Sequence, residues 1–378
     1  MNITGGVTFS GSMAIRDQFP IAVAANIAAQ SLTTGAAMTS FNPFASVSGG
    51  VAPYVYSYTG TLPTGITQNT STGVVSGTPT AGYSTATVTF RVADSAGIVA
   101  AVTSPVSFTA TVPTYTVNYL VVAGGGSGGV LAGGGGGGGG LLSGSTTLSG
   151  GTSYTISVGG GAQYVGSGQG KNGFSSNITS PAPGFTTITT TGGGGGGATP
   201  IVNGALGGSG GGGGYPGGSG NFTGTPGQGF PGSPSPATTN VSGGGGGAGG
   251  AGSGNTGGPG YTWPFTGNTY AGGGSGGVAP SPGNPVSGGP GGGGSGGPAS
   301  GNFPATPGTL GTGGGGGGGE YPNAGGPGVV ILAVPTPNYP SVSAPGAVVT
   351  TPPAAPGYTV LTWNAPSVAV SSIYTFTA

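Results

Sequence analysis

The chain has 378 residues, of which three are basic, three acidic, none histidine and none cysteine. That balance gives no basic patch to neutralise phosphates, no thiolate site or disulfide framework, and no imidazole for general-base or metal work. With 99 glycines and 34 prolines the chain is of low-complexity type, and no apolar run is long enough for a membrane-spanning helix.

Catalytic patterns fail on inspection. GxGxxG matches recur, but none sits between a strand and a helix with a following acidic residue. Gly170-Lys171 is followed by Asn172, so the phosphate-binding loop pattern breaks. Three carboxylate side chains in all leave little for paired-carboxylate hydrolysis. The expectation is a non-enzyme with no cofactor, no metal, no nucleic-acid partner and no membrane insertion.

Residues 1–18 alternate weakly at Ile3, Val7 and Phe9. They read either as a frayed terminus or as an attachment strand that pairs with a sheet in a larger assembly. A basic start followed by an apolar stretch is missing there, so no secretory signal is expected.

Residues 19–112 read as an all-β sandwich. Short alternating runs at 54–58, 74–75, 86–92 and 106–112 are separated by turn signals. Tyr54, Tyr56 and Tyr58 share one strand face, as do Val88, Phe90 and Val92. Asp94 reads as a turn cap; a calcium-ligand role would want a second nearby carboxylate. The series LPTGI (62–66), STGVVSGTP (71–79) and VADSAG (92–97) resembles the immunoglobulin-like repeats of microbial surface proteins. That resemblance implies a rigid spacer or adhesive module.

Residues 113–335 form a glycine-rich block. Strand-like 115–123 leads in and 329–334 (VVILAV) leads out, with further strands at 141–148, 153–158 and 185–190. Glycine runs lie at 124–129, 133–140, 192–197, 207–214, 243–250, 272–277 and 313–319, with another, broken by Pro290, at 288–297. Composition alone suggests a disordered linker, because glycine loses the most backbone entropy on ordering. An ordered alternative exists. A polyproline-II strand has three residues per turn, rises about 3.1 Å per residue and makes no internal hydrogen bonds. Made of glycine, such helices can approach closely and pair their free amides and carbonyls with one another. The strand–glycine order, from YLVVAGGGSGG through LLSGSTTLSGGTSYTISVGGGA to GGPGVVIL, resembles the glycine-rich domain of phage tail-fibre proteins. It is also similar to the adhesin at the tip of T-even-type long tail fibres, although those adhesins lack the immunoglobulin-like segment.

Residues 336–378 read as a Pro-rich linker followed by a C-terminal hairpin, 358–363 and 371–377. A lone hairpin is marginal in water, so it should dock on another sheet.

The expected fold class is thus all-β plus polyglycine-II, with essentially no α-helix. If the glycine helices alternate in direction, the loops 198–206, 251–271 and 298–312 share one end. Tyr261, Trp263, Phe265, Tyr270 and Phe303 then form an aromatic receptor-binding set, the alternative being that they merely cover the bundle. The resemblance implies a virion fibre or spike adhesin, assembled in the host cytoplasm and exposed on the particle. Expected partners are other virion proteins through the terminal strands, and a host surface glycan or outer-surface protein; homo-oligomerisation stays open. The alternatives are a capsid-decorating fibre without recognition and, more distantly, an ice-binding protein.

Overall fold

The computed structural model describes residues 20–102, 105–164, 166–200, 203–218, 223–237, 240–278, 285–298, 304–367 and 371–378. The attachment segment 1–18 and Phe303 lie outside them. The chain divides into two compact units, Met1–Pro113 and Thr114–Ala378. Among the described residues there is no α-helix, only one 3-10 turn at Thr336–Ser341.

The first unit is built from nine strands: β1 (Ala22–Ala25), β2 (Gln30–Thr33), β3 (Phe44–Ser48), β4 (Val55–Thr59), β5 (Ile66–Gln68), β6 (Val75–Gly77), β7 (Tyr83–Ala93), β8 (Val99–Ala101) and β9 (Val106–Thr111). The main sheet has the order β2-β9-β7-β4, with β8 on β7; β1 pairs with β3, and β5 with β6. The alternation expected for β7 is realised. Val88, Phe90 and Val92 point inward and are fully buried with Phe108, Val106 and Val75. Asp94 caps the turn after β7, accepting the N–H groups of Ala96 (3.0 Å), Ile98 (2.8 Å) and Val51 (3.0 Å).

The second unit opens with β10 (Thr114–Val122), β11 (Leu141–Ser149), β12 (Ser153–Val158), β13 (Ser176–Thr179) and β14 (Ile188–Thr190). A two-residue-strand hairpin follows, β15 (Tyr261–Thr262) and β16 (Thr269–Tyr270), then β17 (Val329–Pro335), β18 (Val348–Thr350), β19 (Tyr358–Asn364) and β20 (Ser372–Thr377). Two antiparallel sheets result, β11-β10-β17-β19-β18 and β14-β13-β12-β20. The C-terminal strands dock, as expected, but not as a hairpin. β19 pairs with β17 and β20 with β12, so each completes a different sheet. Two strands alone bury too little; shared between two sheets, they close a sandwich. Its core holds Trp363, Leu361, Val330, Leu332, Tyr154, Ile156 and Phe376. β17 is buried along Val329–Val334 on both faces, which is why its sequence is a continuous apolar run.

The glycine runs form a bundle knitted by backbone alone. In run 133–140 the donors follow a cycle of three. Gly134, Gly137 and Gly140 donate to the carbonyls of Gly197, Gly194 and Thr191; Gly135 and Gly138 to Gly243 and Gly246; Gly136 and Gly139 to Gly316 and Gly313. Its carbonyls accept on the same cycle. Gly134, Gly137 and Gly140 receive from Gly129, Gly126 and Ala123; Gly135 and Gly138 from Gly212 and Ser209; Gly133 and Gly136 from Gly277 and Gly274. These bonds span 2.7 to 3.1 Å and tie one strand to six neighbours. A three-residue cycle with outward amides is the pairing required of polyglycine-II. The neighbours sit so close that a Cβ on Gly135 would overlap the Gly274 carbonyl, and one on Gly246 the Phe230 carbonyl.

The bundle also recruits segments that are not glycine runs. Gly124 and Ser127 donate to Phe174 and Lys171, Gly125 and Gly128 to Gly326 and Asn323. Strand 171–174 therefore carries side chains while its backbone serves as an outer member of the bundle.

Candidate functional site

Hydrogen-bond register fixes the direction of each run. Against 133–140, the runs 124–129, 192–197, 207–214, 272–277 and 313–319 are antiparallel, and 243–250 is parallel. Strict alternation therefore fails. Runs 192–197 and 207–214 advance together, Gly194 donating to Ser209 and Gly197 to Gly212. The nine residues between them have room to return along the bundle, where Ala205 donates to Gly195. The loops do not sort as alternation would place them.

The two ends of the bundle differ in what they meet. One end joins the sandwich. β10 runs into Ala123, β11 starts after Gly140, β14 ends before Thr191, and Gly328 leads into β17. The hairpin β15–β16 lies at this end. Its Trp263 is 2% exposed and Tyr270 6%, packed with Leu120, Val122, Ile331 and Val360 from the outer face of the five-stranded sheet. Tyr261 and Phe265 pack half-buried against the same cluster. The rings of Trp263 and Phe265 are 5.0 Å apart, and Phe265 meets Tyr358 edge-on at 5.1 Å. The expected aromatic set is thus brought together, Phe303 aside, but in an interior where it covers the sheet. Burial leaves Trp263 and Tyr270 almost no outward surface.

Among the described residues, no named sheet covers the opposite end. The turn 130–132 links two runs there, with Leu131 and Ala132 at positive φ (54° and 56°). Cross-links tie this turn to its neighbours: Thr199 N–H to the Val130 carbonyl (3.4 Å), Tyr215 N–H to Ala132 (3.3 Å), Gly319 N–H to Gly129 (3.3 Å). Thr199 Oγ1 donates to the Tyr215 carbonyl at 2.6 Å, and Ser242 Oγ to Ala132. Out of this network project Leu131, 55% exposed, and Tyr321, 58% exposed. Tyr164, 46% exposed, precedes Gly168, whose carbonyl receives Val130 N–H. Large apolar groups, supplied by three separate connections, thus stand on a braced backbone. Sequence reasoning passed over them. The signal available was gap length: three residues between runs 124–129 and 133–140 permit only a tight reversal, which fixes where Leu131 must lie.

The family described as Glycine-rich domain matches residues 102–335. The chain belongs to this family. The glycine-rich domain is preceded, at residues 20–113, by a match to the family described as Putative Ig domain, in the expected order. No curated protein matches the chain. Both matched domains are of structural type. Within the described residues of the glycine-rich domain and the unit before it, no group of three or more His, Cys, Asp or Glu is placed to hold a metal, and no helix is long and apolar enough to cross a membrane.

Proposed function

We propose that the chain is a phage virion fibre protein, a receptor-binding adhesin. Its glycine bundle holds a recognition surface on the end away from the sandwich. The observation that carries this reading is the asymmetry of the two ends. Trp263 and Tyr270 at the sandwich end fill a core, while Leu131, Tyr164 and Tyr321 at the free end face solvent from cross-linked connections; Phe230, Leu206 and Leu310, also exposed, lie toward the sandwich. Recognition commonly sits on loops held by a rigid scaffold, and tyrosine gives much contact area for little lost rotamer freedom. The neutral surface fits a host surface glycan or outer-surface protein better than a charged partner. The immunoglobulin-like unit serves as a spacer to the rest of the particle.

The test is a Leu131→Ala/Tyr164→Ala/Tyr321→Ala variant carried on assembled particles. Adsorption to host cells should fall steeply while stability shifts by no more than about 0.5 kcal/mol per site, as for exposed positions. Unchanged adsorption sinks the reading. Ice binding has one observation in its favour: the outward face of the four-stranded sheet carries Thr155, Ser157, Thr179, Thr189 and Thr375, with Asn177 and the exposed Ile373 among them. A thermal-hysteresis measurement separates it from adhesion.

A further inference from the structure

The sandwich carries a cleft on one side, where β11 and β14 are the free edges of the two sheets. Its volume is about 590 Å³, within the range of small-molecule sites. Six hydroxyl-bearing residues line it: Ser145, Thr146 and Thr147 from β11, Thr186 and Thr187 from the loop before β14, and Thr189 on β14. Of the three on β11, strand alternation turns Thr146 to the face shared by Leu142 and Tyr119, and Ser145 and Thr147 to the other. Tyr119 forms part of the wall, and its ring lies beside Gly144, which is paired with it across β10 and β11 and has no side chain to crowd it. Leu142 and Ile188 supply apolar surface. No acidic or basic residue lines the cleft.

We propose that this cleft binds a neutral saccharide. The argument is one of chemical matching. Hydroxyl groups both donate and accept, so those turned into the cleft, Thr146 among them, answer a ligand that does the same. A site without charge gives no stabilisation to an ionic ligand and exacts a desolvation cost from it. The ring of Tyr119 and the aliphatic Leu142 and Ile188 offer flat apolar contact to the C–H face of a pyranose. Two walls are sheet edges, held by the ladders of β10–β11 and β13–β14, so Thr146 is positioned before the ligand arrives. The same free edges offer a second chemistry, addition of a peptide strand; the side chains facing the cleft favour the sugar. The cleft lies on the sandwich, not on the free end of the bundle, so the inference stands apart from the adhesion reading.

The experiment titrates the full chain with maltotriose, mannotriose and chitotriose, followed by ligand-observed NMR. Sialyllactose is the charged control, and a Thr-rich peptide the strand control. At least one neutral saccharide should bind saturably. Thr146→Val and Thr187→Val, which remove a hydroxyl and keep the shape, should each weaken it by up to about tenfold, the worth of one lost hydrogen bond. Thr186→Trp, at an exposed position, should fill the mouth and abolish binding with the melting curve unchanged. The Leu131→Ala/Tyr164→Ala/Tyr321→Ala variant should bind the saccharide as the parent does. The proposal is overturned if no neutral saccharide saturates, if binding survives all three cleft substitutions, if sialyllactose binds equally well, or if only the peptide binds.

Discussion

The immunoglobulin-like unit and the glycine bundle order themselves by opposite means. In the first, β7 presents Val88, Phe90 and Val92 to a shared interior, and apolar side chains exclude water. In the second, the elements in closest contact have no side chains, and order comes from a lattice of peptide hydrogen bonds. The difference lies in tolerance. A sandwich has core positions and surface positions. A glycine helix with six neighbours has no surface: every residue of 133–140 faces another backbone, so each is as constrained as Phe90.

The sharpest way to break the comparison is Gly246→Val. A Cβ there meets the Phe230 carbonyl, a backbone atom that cannot swing aside. The whole bundle should lose its cooperative transition, a cost above about 4 kcal/mol, while the immunoglobulin-like unit melts as before. Intact cooperativity in calorimetry would show that the lattice is not what orders the second unit. A smaller effect should follow from Trp263→Ala. If that residue fills a core, the loss is about 3 to 5 kcal/mol, the range also expected of Phe90→Ala, and adsorption of the surviving folded protein is unaltered. Reduced adsorption with unchanged stability would instead return Trp263 to a binding role.

How much of this was legible in the residues follows from the same contrast. Where side chains carry the fold, they also carry the signal. The alternation of 86–92 and the apolar run 329–334 announced their strands and their burial. Glycine announces that backbones can pair, and so the bundle could be anticipated, but a run of identical residues carries no mark of direction. Direction came from hydrogen-bond register, and only gap length hinted at it. Members such as 171–174 were hidden for the converse reason, since Lys171 and Phe174 disguise a backbone that pairs like glycine. The place of Trp263 was unreadable because an aromatic amid Gly and Pro reads alike whether it covers a sheet or meets a partner. The partners of 358–364 and 372–377 were equally unreadable, because alternation tells which face is buried and not which strand lies beside it.

The two units should also fail at opposite ends of the pH scale. Burial works to raise the pKa of Asp94, but the N–H groups of Ile98, Val51, Ala96 and Gly97 outweigh it and hold the carboxyl below its ordinary value. A depressed folded pKa gives stability that is complete above the unfolded value and is lost as pH falls through the folded one. The immunoglobulin-like unit should therefore weaken in acid, and Asp94→Asn should flatten that arm. Tyr115, in the sandwich of the second unit, is shifted the other way: burial, then the nearby Tyr154, pushes it up from 10.0 to about 12. A raised folded pKa gives stability that is complete below the unfolded value and lost as pH climbs through the folded one, so the second unit should weaken as pH rises from 10.0 toward about 12. Tyr115→Phe, which keeps the ring and removes the titrating group, should flatten that alkaline arm and leave the acid arm of the first unit untouched. Melting curves of both units across pH read the two arms separately, and a Tyr115→Phe protein that still loses its second unit over the same alkaline range would place the sensitivity in the bundle instead.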